Sequence, residues 1–263
     1  MRPLRAALVA AVVICLVLGG CSREDRPIEA RLDRADDLLG HHRAVQAGLQ
    51  VEAAIRLKPS RSDTYRTAMA LYIKHERRPE AASVIERFLE LARAERLDEK
   101  LSREELAHLH SVLAEVYQEG HLLLQAEDAY RAALALSPNS AQLLNRLAYF
   151  YADEGIKLDE GLRLARRSVG LAPEDGAIVD TLGWAEYKLG RHDAAARTLA
   201  RAIRLMPDDA TLRYHLGAAY VRLGRKIEAW IELNKALVLD RNMREAAKLL
   251  KTLHKRIPAS VID

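Results

Sequence analysis

The side chains able to do chemistry are Cys21, nine histidines and several acidic pairs, and their spacing narrows what each can do. His108 and His110 stand two apart, which on a helix turns them to different faces and denies them a shared metal ion. His41 and His42 adjoin in a turn-like stretch, while Asp36 with Asp37 and Glu104 with Glu105 read as solvated helix faces. Every notable glycine is accounted for by a turn or a close helix contact, so no loop is left to cradle a phosphate. The expectation is therefore a protein that is not an enzyme, with no metal and no cofactor. Nucleic acid is an equally poor fit. The chain has 41 Lys and Arg against 37 Asp and Glu, and its high isoelectric point of about 9.1 reflects Arg-rich usage more than a concentrated basic surface.

Cys21 stands apart because of what precedes it. Arg2 and Arg5 are followed by an unbroken apolar run over residues 6–18 and then by Gly19-Gly20-Cys21. A basic start, a short apolar centre and small residues before a cut form a secretory leader, here residues 1–20. The run falls short of the roughly 20 residues that a spanning helix needs. Cys15 goes with the leader, so Cys21 is left as a lone thiol with no intramolecular disulfide to join. Leu18-Gly19-Gly20-Cys21 resembles the lipobox of bacterial lipoproteins. That resemblance implies a diacylglycerol thioether and an N-acyl chain (palmitate or similar) on Cys21, a covalent lipid in place of a cofactor. Ser22 rather than Asp at the next position favours the periplasmic face of the outer membrane. Residues 21–27 form the lipidated terminus and a short tether.

The elements behind this anchor repeat. Residues 176–209 match residues 210–243 at a period of 34: Leu182 with Leu216, Gly183 with Gly217, Gly190 with Gly224, Ala195 with Ala229 and Ala202 with Ala236. A unit of this size cannot bury its own apolar face, so neighbours must stack and share a core. Within the unit, apolar residues return at helical spacing to Leu189, and Gly190 supplies a left-handed stop. Asp193 is placed to cap a second helix, which Pro207 closes. Gly183, Ala195 and Ala202 fall where two helices must approach closely. Counting back, with one extra residue in the turn near Ile156, yields four units over residues 107–243. Weaker units occupy 28–95, an insertion lies at 96–106 that bends the array or extends its flanking helices, and Ser102 with Glu105 reads as a capping box. Residues 244–263 make a capping helix and tail, with Ala246, Leu249, Leu250 and Leu253 on one face.

The order Leu182, Gly183, Ala195, Leu199, Ala202, Pro207 resembles the tetratricopeptide repeat (TPR). The resemblance implies an all-α, right-handed TPR solenoid of antiparallel helical hairpins, with the first helix of each hairpin lining a concave groove. Carried onto this sequence, the partner-binding groove receives Asn145, Arg146 and Tyr149, then Asp180, Thr181, Trp184 and Tyr187, then Tyr214, His215 and Arg222. Clustered amphipathic rings suit a peptide-binding surface. Trp184 is open to two roles, groove contact or filler between hairpins. The expected function is an outer-membrane lipoprotein scaffold or adaptor that holds an envelope protein or peptide segment in this groove. Pilotin-like or exopolysaccharide-export assembly is the alternative, and glycan binding by the same rings a more distant one.

Overall fold

The computed structural model describes residues 25–254 except Asp98, and among these residues every regular element is a helix. The leader and Cys21 lie outside the described residues, as does the tail beyond His254. Two compact units divide the chain at Leu136 and Ser137.

The first unit contains three hairpins: α1 Arg26–Gly40 with α2 Ala44–Leu57, α3 Ser62–Lys74 with α4 Arg78–Arg93, and α5 Arg103–Glu119 with α6 Leu123–Leu136. The second contains α7 Ala141–Glu154 with α8 Leu158–Leu171, α9 Gly176–Lys188 with α10 His192–Leu205, α11 Ala210–Arg222 with α12 Lys226–Leu239, and a last helix, α13 Arg244–His254. The fold is thus the all-helical one that the resemblance implies, built from antiparallel hairpins.

The close contacts fall where small residues require them. A Cβ on Gly183 would come within 2.6 Å of Leu199, and one on Gly217 within 2.8 Å of Leu233, the same contact one period on. Ala195, Ala202, Ala229 and Ala236 are fully buried. Val179, Leu199, Leu212 and Leu216 join α9, α10 and α11 in one core. Along α13, Ala246 and Leu253 pack on Ala229, Leu233 and Ala236 of α12.

Gly190 and Gly224 take left-handed conformations, φ +76° and +72°, at the centre of three-residue turns. The extra residue expected in the turn near Ile156 lies instead in α7, one residue longer than α9; the turn that follows keeps three residues, two of them left-handed, Gly155 and Lys157.

The capping expectations divide. Ser102 and Glu105 form the expected box, Glu105 N–H donating to Ser102 Oγ at 3.1 Å and Ser102 N–H to Glu105 Oε2 at 2.8 Å. Asp193 does not cap. The residue ahead of α10 is Arg191, which makes no side-chain cap, and Asp193 sits inside the first turn, where its charge still favours the helix dipole. The tight Gly190 turn starts the helix at His192, one residue ahead of Asp193. Aspartate caps occur instead on the first helices of two hairpins, Asp175 on α9 and Asp209 on α11, one period apart. In the insertion, the described residues of 96–102 lie outside any helix with Leu101 buried, and 103–106 open α5.

Candidate functional site

The first helices α7, α9 and α11 pack side by side, and the side chains on their shared face form the candidate site. They reach one face because equivalent positions repeat: Asn145, Asp180 and Tyr214 are one register apart, as are Arg146, Thr181 and His215.

Trp184 is the centre of this face, and it is buried, with 6% of its surface exposed. Its ring stacks on Tyr187 of its own helix at 4.8 Å and on His215 of α11 at 4.0 Å, and it meets Tyr214 at 6.2 Å in a tilted contact. Lys188 Nζ lies 5.0 Å from the indole centroid, close enough for a cation–π attraction, and donates to the Asp153 carbonyl at 3.0 Å. Of the two roles open to Trp184, the structure gives it that of packing between hairpins. Groups that remain partly open surround it: Tyr149, Tyr187 and Tyr214, with Ala152, Leu162 and Leu249 as the apolar backing.

His215 does more than stack. Its Nδ1–H donates to both carboxylate oxygens of Asp180 at 2.9 Å, and both residues are almost fully buried. A buried carboxylate is costly without such a donor, so the pair fixes the imidazole plane against which the Trp184 ring lies. Thr181 is buried and spends its hydroxyl on the Ala177 carbonyl. Burial, aided by the charges of Asp153 and Asp180, pushes the Tyr149 phenol well above its usual range; burial, with Tyr187, Glu245 and Asp153, raises that of Tyr214. Both rings therefore offer neutral O–H groups throughout the physiological range. Burial alone lowers the Arg146 guanidinium from its ordinary value.

Two polar atoms of this face are shut off from water and bond to no protein group: the indole Nε1 of Trp184, a donor, and Oδ1 of Asn145, an acceptor. Leaving such groups unmatched costs on the order of 1–3 kcal/mol each.

The structure thus draws Tyr149, Asp180, Trp184, Tyr187, Tyr214 and His215 together. Asn145 and Arg146 lie on the same α7 face, one turn from Tyr149. Arg222, at the exposed end of α11, makes no contact with the ring cluster that the structure describes. Sequence reasoning placed Asp180 and His215 on one face without pairing them; the available signal was an acid and an imidazole on neighbouring first helices, one position out of register. It also missed Leu249 of α13, whose half-buried side chain backs the rings. Among the described residues no three His, Cys, Asp or Glu converge to hold a metal, and no helix is long and apolar enough to cross a membrane.

Residues 183–224 match the family model for the TPR repeat. Over 179 residues the chain is 31% identical to TPR repeat-containing protein PA4667 of Pseudomonas aeruginosa, a match that takes in 65% of this chain. The chain spans only 28% of the length of that curated relative. By fold it is similar to the APC/C hetero-tetramer Cut9-Hcn1, with a TM-score of 0.61 at 18% identity over 85% of this chain and 42% of that one. It is similar also to YrrB, a TPR protein with an unusual peptide-binding site (TM-score 0.52, 18% identity, 79% of this chain and 98% of that one). A third neighbour is MamA 41-end from Desulfovibrio magneticus RS-1 (TM-score 0.54, 18% identity, 68% of this chain and 94% of that one). Identities this low speak for the fold alone. Residues 183–224 thus carry a tetratricopeptide repeat, and the hairpins stacked around them have the tetratricopeptide-repeat fold.

Proposed function

We propose that this chain is a non-enzymatic scaffold that holds an extended segment of an envelope protein against the face built by α7, α9 and α11. The proposal includes an acyl anchor on Cys21 that keeps the protein on the periplasmic face of the outer membrane. The observation that supports partner binding is the set of partly open rings, Tyr149, Tyr187 and Tyr214, gathered around the buried Trp184. Rings of this kind offer an apolar body and a polar O–H, so a bound segment covers their faces with its apolar side chains and hydrogen-bonds at their edges. The anchor reading is supported by the leader and by the small residues ahead of Cys21.

The test is photo-crosslinking in intact cells with a photoreactive residue at Tyr214, compared with the same residue at exposed Arg197 on α10. An envelope protein captured at position 214 and absent at 197 is expected. Equal capture at both positions, or capture of glycan alone at 214, would remove the peptide reading. The anchor is tested separately by fatty-acid labelling, expected in the wild type and absent from Cys21→Ser.

A further inference from the structure

We infer that the outward face of α2 is a bilayer-contact surface on which the first hairpin lies flat against anionic lipid headgroups; this rests on the Cys21 anchor proposed above. Val45 and Leu49, one helical turn apart, are 82% and 65% exposed. They are the second and sixth residues of α2. At the same two places α8 and α10 carry solvated charges, Asp159 with Arg163 and Asp193 with Arg197, whereas α6 exposes Leu124 at the first of them. In α2 both places are aliphatic and more than half exposed, which leaves room for a neighbour other than water.

The surroundings identify that neighbour. Exposed Arg43 stands at one end of the aliphatic pair and exposed Arg56 at the other. The one acid on the same face, Glu52, is engaged by Arg87 at 3.3 Å. Aliphatic side chains framed by arginines match the layering of an interface, where the chains enter the acyl boundary and the cations meet headgroup phosphates. Cys21 is four residues from Asp25, a reach of about 14 Å, and α1 begins at the next residue. The far end of α2 returns to that point, Lys58 Nζ standing 3.2 Å from Asp25 Oδ1 and Arg61 also bonding this carboxylate. All of α2, about 21 Å long at 1.5 Å per residue, is therefore held within one helix length of the tether. Two aliphatic side chains would not recruit a protein from solution, but an anchored hairpin meets the bilayer at a very high effective concentration, so a weak contact is populated. Ile227 and Ile231 of α12 occupy the same places in the second unit but stand remote in sequence from the anchor, and the inference does not extend to them.

The test uses the acylated full-length protein in vesicles of phosphatidylethanolamine and phosphatidylglycerol, with a nitroxide on Leu49→Cys and, as the solvated control, on Arg197→Cys. Acylation consumes the Cys21 thiol, so the wild type should take no label. At position 49 the nitroxide is expected to be several-fold less accessible to a water-soluble nickel chelate, and more accessible to oxygen, than at 197. Equal chelate access at both positions overturns the inference while leaving the anchor intact. Shielding at 49 that persists in detergent without vesicles assigns the pair to a protein contact and overturns it too. Wild-type protein that reacts with the label at Cys21 removes the anchor and this inference together. Because residue 49 is exposed, an unchanged melting curve for Leu49→Cys separates these outcomes from misfolding.

Discussion

The three-residue turns of the two units have the same shape and different residues. In the second unit the left-handed position is held by Gly190 and Gly224, whereas in the first His42, Glu76 and His121 occupy it at φ between +57° and +58°. A side chain in that conformation costs about 1–2 kcal/mol, which glycine avoids. The units also differ in what joins their hairpins. In the second, neighbouring first helices meet through buried rings and the Asp180–His215 pair. In the first, side-chain ions cross between hairpins: Lys74 and His75 of the α3 turn reach Asp36 of α1, Arg66 of α3 reaches Glu105 of α5, and Arg78 reaches Glu119. Both units have a buried core, but neighbouring hairpins are joined by buried rings in the second and also by part-exposed side-chain ions in the first.

If packing carries the second unit, removing its central ring must be the most damaging single change. Trp184→Ala deletes a nearly buried indole, and such truncations cost about 3–5 kcal/mol. The expected result is a large fall in denaturant midpoint, together with weaker partner capture that tracks unfolding. A folded Trp184→Ala protein of native stability would show that the rings are surface decoration and would collapse the contrast between the units.

Next in size is Gly183→Ala. The new methyl meets Leu199 at 2.6 Å, and the Leu199 backbone nitrogen at 3.3 Å limits retreat. Overpacking of this kind costs about 1–3 kcal/mol, measurable by thermal melting. Gly217→Ala, facing Leu233 at 2.8 Å, should behave alike, and unequal effects would show that the repeat is regular in sequence but not in strain.

The turns give a prediction of opposite signs. Gly190→Ala places a Cβ in the left-handed region and is expected to lower stability by about 1–2 kcal/mol. Glu76→Gly relieves a similar strain, but the freer unfolded chain takes back about 0.5–1 kcal/mol, so a small stabilisation is expected. A loss of stability for Glu76→Gly would mean that its side chain makes a contact worth more than the strain.

These differences explain what could be read from the sequence. The 34-residue period, the left-handed glycines, the Gly183 contact and the Ser102–Glu105 box were legible because each is a local requirement that one residue type meets. The left-handed histidines and Glu76 were not, because a non-glycine residue in that region is imposed by the surrounding helices and carries no residue signature. Asp193 misled because a cap was placed by spacing alone, when the turn geometry set by Gly190 decides where the helix starts. Trp184 was legible as a member of the right face but not as its buried centre, since burial depends on His215 coming to stack on it from 31 positions away.

The smallest expected effect tests the charged half. Burial alone would raise the Asp36 carboxyl, but hydrogen bonds and charges from Lys74 and His75 outweigh it and hold the group below its ordinary value. A carboxylate depressed in the folded state binds fewer protons there than in the unfolded chain, so its contribution is present at neutral pH. That contribution begins to fall near the unfolded value of about 3.9 and is lost as pH drops through the lower folded value. Asp36→Asn should therefore leave the acid limb of the stability curve shallower, by less than one proton, while changing little that touches the second unit. Hydrogen exchange resolved by segment is the measurement: faster exchange confined to α1 and α3 at neutral pH, vanishing in acid where wild type and variant converge, is the expected pattern. Acceleration spreading equally through α9 and α11 would show that the two halves unfold as one and that the division between charge and packing does not govern their stability.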